Sequence, residues 1–285
     1  LTTTVRPTTT VPPATTAKPT TAATTDIKLT GSEVIAATDH SPESWKSKAT
    51  YICSNGEIPA TLRASIAAGG KVFVFAPGEY NIEGPDKHIK VGSNTTITGV
   101  RTIVQPADRE TMLYPDSKTM AVFTTKTQLT SEQQCTSAQF GVMVVDWSEN
   151  VDIQDIAING HAILKLVNCL DTNIKNVLIH NYRGTYPNGE WCNMGYIGAT
   201  GSLWIYGQCE NINAGAENYL TAKNIKLQGV RALYSGCGML FGGDRIAAAK
   251  YIPEVEGYGW QDWSVGFDLC ESQRVENLTL EDCYS

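Results

Sequence analysis

Apolar residues recur along this chain at two spacings, and the order of those spacings predicts its elements. Thr61-Leu62-Arg63-Ala64-Ser65-Ile66-Ala67-Ala68 has helical spacing and ends at Gly69-Gly70, where a left-handed backbone costs little. A short helix is predicted there, with strands directly after it. Lys71-Val72-Phe73-Val74-Phe75-Ala76 is β-branched and aromatic, and Pro77-Gly78 turns the chain. Residues 79–82, 89–91 and 95–98 are further short runs of the same kind, the last two separated by Gly92-Ser93-Asn94.

From residue 142 the strand pattern repeats. Four segments align without gaps: Gln154-Asp155-Ile156-Ala157-Ile158, Lys175-Asn176-Val177-Leu178-Ile179, Lys223-Asn224-Ile225-Lys226-Leu227 and Glu276-Asn277-Leu278-Thr279-Leu280. Each sets Asp or Asn before an apolar-x-apolar strand, at successive offsets of 21, 48 and 53 residues. Stacked parallel strands bring equivalent positions to about 4.8 Å. Asn176, Asn224 and Asn277 are therefore expected to pile into one column begun by Asp155, satisfying backbone groups that a bend leaves unpaired. The predicted fold is all-β: a right-handed single-stranded parallel β-helix with a short N-terminal capping helix and long loops.

Composition divides the chain in two. The first 25 residues hold twelve Thr and four Pro with almost no large apolar side chain, so they cannot bury a core. Residues 1–30 read as a Thr/Pro-rich disordered linker and residues 31–285 as the folded domain. The linker resembles, in composition alone, the tethers that join catalytic to cellulose-binding modules in secreted plant-cell-wall-degrading enzymes. That implies a carbohydrate-binding or other module joined through it.

The formal charge is −7. The linker is slightly basic, which leaves the domain more acidic still and argues against a nucleic-acid partner. The eight cysteines form no CxxC pair and no zinc-site spacing, and no organic-cofactor motif is present. Their even number, the Thr/Pro tract and two sequons, Asn94-Thr95-Thr96 and Asn277-Leu278-Thr279, point to a secreted, extracellular glycoprotein with some disulfides. No apolar run approaches the roughly 18 residues of a membrane span, and a monomer is expected.

The stretch from Thr61-Leu62-Arg63 through Lys71-Val72-Phe73-Val74-Phe75 to Val91-Gly92-Ser93-Asn94-Thr95-Thr96-Ile97-Thr98-Gly99 resembles the opening of pectate-lyase-like β-helix proteins. In that family a short helix caps the coil and a Ser-Asn-x-Thr-Ile-x-Gly turn opens the first rungs. Ala162-Ile163-Leu164-Lys165 and Asn176-Val177-Leu178-Ile179-His180 are similar to its Asp-Ala-Ile and Asn-Val-Trp-Ile-Asp-His segments. The likeness implies a polysaccharide lyase that cleaves a pectate-like polymer by β-elimination, with calcium. The chain departs from the family at the chemistry: His161 replaces its first calcium aspartate, and the Arg-x-Pro-x-x-Arg signature is missing.

Elimination from a uronic acid needs a cation on the carboxylate and a base for the C5 proton, whereas glycoside hydrolysis needs two carboxylates. Strand alternation places Lys165 outward, with Asp146 and Asp268 aligned to Val167 on the same face. The catalytic candidates are Lys165, Asp146, Asp268, Arg231 and Arg245, with Asp244 and Asp268 as metal ligands. Trp204, Tyr206, Tyr258 and Trp260 are candidate sugar platforms, because sugar C–H faces stack on aromatic rings. A glycoside hydrolase, drawing on Asp146, Asp244, Asp262 and Asp268, is the alternative chemistry. A non-catalytic glycan-binding or cell-surface module is the alternative from another class.

Overall fold

The computed structural model describes residues 27–82, 88–104, 113–125, 141–160, 163–180, 201–206, 222–233, 237–241, 265–269 and 275–283. The chain enters through β1 (Val34–Thr38), α1 (Glu43–Lys46), β2 (Tyr51–Cys53), a 3-10 turn (Ser54–Gly56) and α2 (Ala60–Ala68). Then follow β3 (Val72–Phe75), β4 (Gly78–Asn81), β5 (Ile89–Val91), β6 (Thr95–Gly99), β7 (Ala121–Thr125) and β8 (Gly141–Asp146). Next are β9 (Glu149–Gln154), β10 (Ile156–Gly160), β11 (Ile163–Val167), β12 (Leu170–Lys175), β13 (Leu178–His180) and β14 (Gly201–Tyr206). Last come β15 (Ala222–Gln228), β16 (Arg231–Leu233), β17 (Cys237–Phe241), β18 (Val265–Leu269) and β19 (Val275–Glu281).

The predicted helix is α2. Leu62 and Ile66, one turn apart, are its fully buried face, and Gly69 and Gly70 end it with φ of 73° each. The Gly92-Ser93 turn closes over that end. Gly92 N–H donates to the Ile66 carbonyl at 3.1 Å, and Gly70 N–H to the Ser93 carbonyl at 3.0 Å. These bonds satisfy groups that a helix terminus otherwise leaves open.

The strands form three sheets in which every pairing is parallel. The first has eight strands in the order β19-β15-β12-β9-β6-β3-β1-β2, the second five (β16-β13-β10-β7-β4) and the third six (β18-β17-β14-β11-β8-β5). From β3 to β16, consecutive strands pass from the first sheet to the second to the third and back. The expectation of an all-β, right-handed single-stranded parallel β-helix is corrected by this topology. The described strands make three separate open sheets, none of them closed. The rotation also fails at both ends, where β1 and β2 share the first sheet and β17 and β18 share the third. Alternation and turn chemistry report local strand geometry, which any stack of short parallel strands satisfies, and carry no signal for closure.

Register explains why these residues form this array. Phe73, Ile97, Ile153, Ile174, Leu227 and Leu280 pair in sequence across the first sheet as one inward column. All are buried except Leu280 on the edge strand, which is 43% exposed. Thr95 and Thr172 sit in the adjacent inward column, each hydroxyl donating to a carbonyl two residues back at 3.2 Å. Tyr80, Phe123, Ile158 and Ile179 form the corresponding column of the second sheet. There Phe75 meets Tyr80 and Phe123 edge-on, with ring centroids 5.0 and 4.9 Å away. Each buried Leu, Ile or Phe contributes about 1.5–3 kcal/mol, so stacking rather than helix formation holds the molecule together.

Turns between sheets are held by left-handed residues arranged in columns. Asn94, Asn150, Asp171, Asn224 and Asn277 occupy equivalent places at the entry to the first sheet, with φ between 49° and 57°. Asn150 Nδ2 donates to Asn94 Oδ1 at 3.1 Å, Asn224 to Asp171 at 2.7 Å and Asn277 to Asn224 at 2.8 Å. Asp155, Asn176, Gly229 and Asp282 form a second column at the exit. There Asn176 Nδ2 donates to Asp155 Oδ1 at 3.0 Å. The single column expected from sequence is therefore two: Asn224 and Asn277 stack, while Asn176 belongs with Asp155.

Two glycines are required by this stacking. A Cβ on Gly99 would collide with the Asp155 carbonyl, and one on Gly229 would sit 2.8 Å from Asn176 Oδ1. Gly229 also has a φ of 63°, which side chains other than Asn and Asp rarely tolerate.

Candidate functional site

The third sheet carries three of the charged residues that sequence nominated, Asp146, Lys165 and Asp268. Its inward positions include Ile89, Met143, Leu164 and Leu203, all fully buried. The alternate positions Lys90, Val144 and Lys165 pair in a column that continues, by register, to Trp204, Leu240 and Asp268. Asp146 lies on β8 between the two lysine strands, two residues beyond Val144 and opposite Val167. Strand spacing puts its Cα about 8 Å from those of Lys90 and Lys165.

Electrostatics ties the three together. Asp146 is exposed, yet the surrounding sheet partly desolvates its carboxyl and raises it from the ordinary value of 3.8, against the opposing pull of Lys165 and then Lys90. Lys90 is exposed, whereas Lys165 is only 3% exposed. A lysine so enclosed on the outer face of a sheet is unusual, because long cations keep their heads in water unless a partner holds them. The cluster can hold an anionic group, move a proton at Asp146, or do both.

Other nominated residues fall elsewhere. Sequence aligned Asp268 with Asp146 and Val167; the pairing instead places it in the Lys165 column, three strands from Lys165. It is four strands from Asp146, about 19 Å at the usual spacing. Asp146 and Asp268 therefore cannot be the two acids of a hydrolytic pair, which stand roughly 5–9.5 Å apart. Arg231 begins β16 in the second sheet, where its guanidinium contacts the Asp282 carbonyl and lies 3.0 Å from the Asp282 carboxylate. It ties the last turn down and stands on a different sheet from Lys165. Trp204 and Tyr206 lie on β14, opposite Lys165 and Val167. Arg245, Asp244, Asp262, Tyr258, Trp260 and His161 lie outside the described residues.

Sequence reasoning passed over two residues here. Lys90 had only a three-residue strand to announce it. Trp147, directly after Asp146, has a φ of 55° and is 59% exposed.

A shallow cavity of about 350 Å³ lies at the helical end of the array, lined by Ser54, Glu57, Arg63 and Asn81 among others. Arg63 Nη1 donates to the Ile58 carbonyl at 2.7 Å. Among the described residues, none that sequence nominated lines this cavity.

Among the described residues no three His, Cys, Asp or Glu side chains gather as a metal site, and no helix is long and apolar enough to cross a membrane. Cys53, Cys169 and Cys283 are free thiols. Burial pushes Cys53 up to about 12 and Cys169 up to about 11. Cys169 is fully buried and fills the core.

No family model matches this chain, and no curated protein matches it. Among solved structures it is similar to a Parabacteroides merdae protein whose glycosyl hydrolase assignment is itself provisional. The TM-score is 0.32 at 13% identity, over 80% of this chain and 90% of that one. So low a score carries no functional argument, and the resemblance to pectate-lyase-like proteins stays confined to the sequence segments that suggested it.

Proposed function

We propose that this chain is a carbohydrate-active enzyme that hydrolyses glycosidic bonds on the outer face of the third sheet, with Asp146 as its proton donor. The observation that carries the reading is an exposed carboxyl raised from its ordinary value on the outer face of the sheet, flanked by Lys165 and Lys90. A carboxyl that keeps its proton to higher pH can protonate a leaving sugar oxygen. The second carboxylate must come from near Asp146. Asp268 is too far, which leaves Asp244 and Asp262 as the nominated acids.

Elimination from a polyuronate is the second reading, favoured by the two lysines that flank Asp146 on the sheet. Lys165 would then take the C5 proton while Lys90 pairs with the uronate carboxylate. Calcium, a secreted location, disulfides, glycosylation, a tethered binding module and a monomeric state belong to the proposal as well.

Incubation with polygalacturonate, alginate and a neutral hemicellulose, with and without calcium, tests both. New reducing ends without ultraviolet-absorbing unsaturated products are expected. Unsaturated products would assign elimination instead, and binding with neither signal would leave a non-catalytic module. Asp146→Asn should lower the hydrolytic rate at least about 100-fold.

A further inference from the structure

Eleven non-glycine residues among those described have positive φ, and ten of them are Asn or Asp: Asn55, Asn94, Asn150, Asp155, Asn168, Asp171, Asn176, Asn224, Asn277 and Asp282. Short polar side chains tolerate this conformation because they hydrogen-bond locally, and here several also bond to the next rung. Trp147 is the exception. Its φ is 55°, and the residue at the same turn on the next rung is Asn168, with φ of 50°. Trp147 N–H donates to the Val167 carbonyl at 3.2 Å, which fixes it in the array. A bulky side chain in the left-handed region is strained, and 59% of this one faces solvent. Neither backbone preference nor core packing accounts for a tryptophan there.

We infer that Trp147 is a sugar-stacking platform that seats a pyranose ring next to Asp146. The inference rests on the carbohydrate reading of that site and adds a binding residue to it. An exposed indole offers a flat π-face to the C–H face of a sugar, and its polar edge stays wet. As the chain neighbour of Asp146, it would bring a stacked ring close to that residue with no intervening flexible segment. The strain marks a position where the fold alone would favour Asn, as on the next rung.

Trp147→Asn and Trp147→Phe separate the possibilities. Thermal unfolding without ligand is measured first, followed by retardation in native gels containing polygalacturonate or mixed-linkage β-glucan. The Asn variant is expected to unfold no lower than wild type, by about 2 °C higher if the strain is fully relieved, and to lose at least tenfold in apparent affinity. The Phe variant should stay within about threefold of wild type, since it keeps a ring. If wild type is retarded and the Asn variant equally so, the platform is refuted while the carbohydrate reading stands. If both variants unfold lower and lose binding together, Trp147 belongs to the fold and the platform is likewise refuted. Wild type that is retarded by neither polymer refutes the carbohydrate reading, and the platform with it.

Discussion

Asp155→Ala is the sharpest single perturbation of the turn columns. The Asp155 side chain is buried, and its Oδ1 accepts from Ile103 N–H at 2.9 Å and from Asn176 Nδ2 at 3.0 Å. Its own φ is 55°. Alanine strands the buried Ile103 N–H, at about 1–2 kcal/mol, and weakens the anchoring of the part-buried Asn176 amide by a smaller amount. It also carries a left-handed backbone at about 1 kcal/mol. The total is about 3 kcal/mol, or roughly 8 °C in Tm for a domain of this size. Asp155→Asn keeps an acceptor oxygen and tolerates the backbone, so it should cost under about 1 kcal/mol. Urea unfolding of the three proteins measures the difference, and equal losses in the Ala and Asn variants would refute the reasoning. The pH dependence adds a second check. Burial raises the Asp155 carboxyl, opposed by its bonds from Ile103 and Asn176 and by Lys175. Between the ordinary and the raised value the folded state holds more protons than the unfolded one. Stability relative to the Asn variant is thus fullest below about 3.8 and falls as pH climbs through the raised value; a rise would contradict the sign.

Further outcomes follow from the same geometry. Leu227→Ala should cost about 3 kcal/mol by denaturant unfolding, whereas Leu280→Ala, half exposed in the same column, should cost under about 1.5. Asn224→Ala breaks bonds to both Asp171 and Asn277 and makes alanine adopt a φ of 57°; a loss of about 2 kcal/mol is expected, measured the same way. Asp146 is also raised by its surroundings, so a rate that needs its proton should decline as pH rises through that value, and Asp146→Asn should abolish that limb of the profile. Iodoacetamide should label Cys53 and Cys169 only after unfolding, as mapped by peptide mass spectrometry.

Helix α2 and strands β3 to β6 were legible because each is announced by local spacing and bounded by Gly, Pro or Asn. The neighbourhood of Asp146 and Lys165 was legible for a different reason. Their strands are one repeat of 21 residues apart, and that offset holds in both turn columns, from Asn150 to Asp171 and from Asp155 to Asn176. The offset of 48 misled because it joined Asn176 of the exit column to Asn224 of the entry column. The true step is 53 residues in each, from Asp171 to Asn224 and from Asn176 to Gly229. Glycine at 229 hid the exit column, since it takes a left-handed turn without displaying an amide. Asp268 was misplaced by two positions for a related reason: long insertions erase the count, and only backbone pairing restores it. Trp147 escaped notice because nothing in a sequence reports a left-handed φ unless the residue type gives it away. Three-sheet openness was illegible throughout, since pattern along one strand is blind to how sheets meet.

The array as a whole depends on parallel strands stacked in register, with a step of 53 residues between β12 and β15. Asn173→Cys paired with Lys226→Cys tests this directly, because those outward positions are register partners and parallel neighbours bring Cα atoms to about 4.8 Å, within disulfide reach. Oxidation followed by peptide mapping should recover the 173–226 crosslink. A crosslink instead between Asn173→Cys and Thr221→Cys, at the step of 48, or none with the 226 partner, would contradict the register and the stacked array built on it.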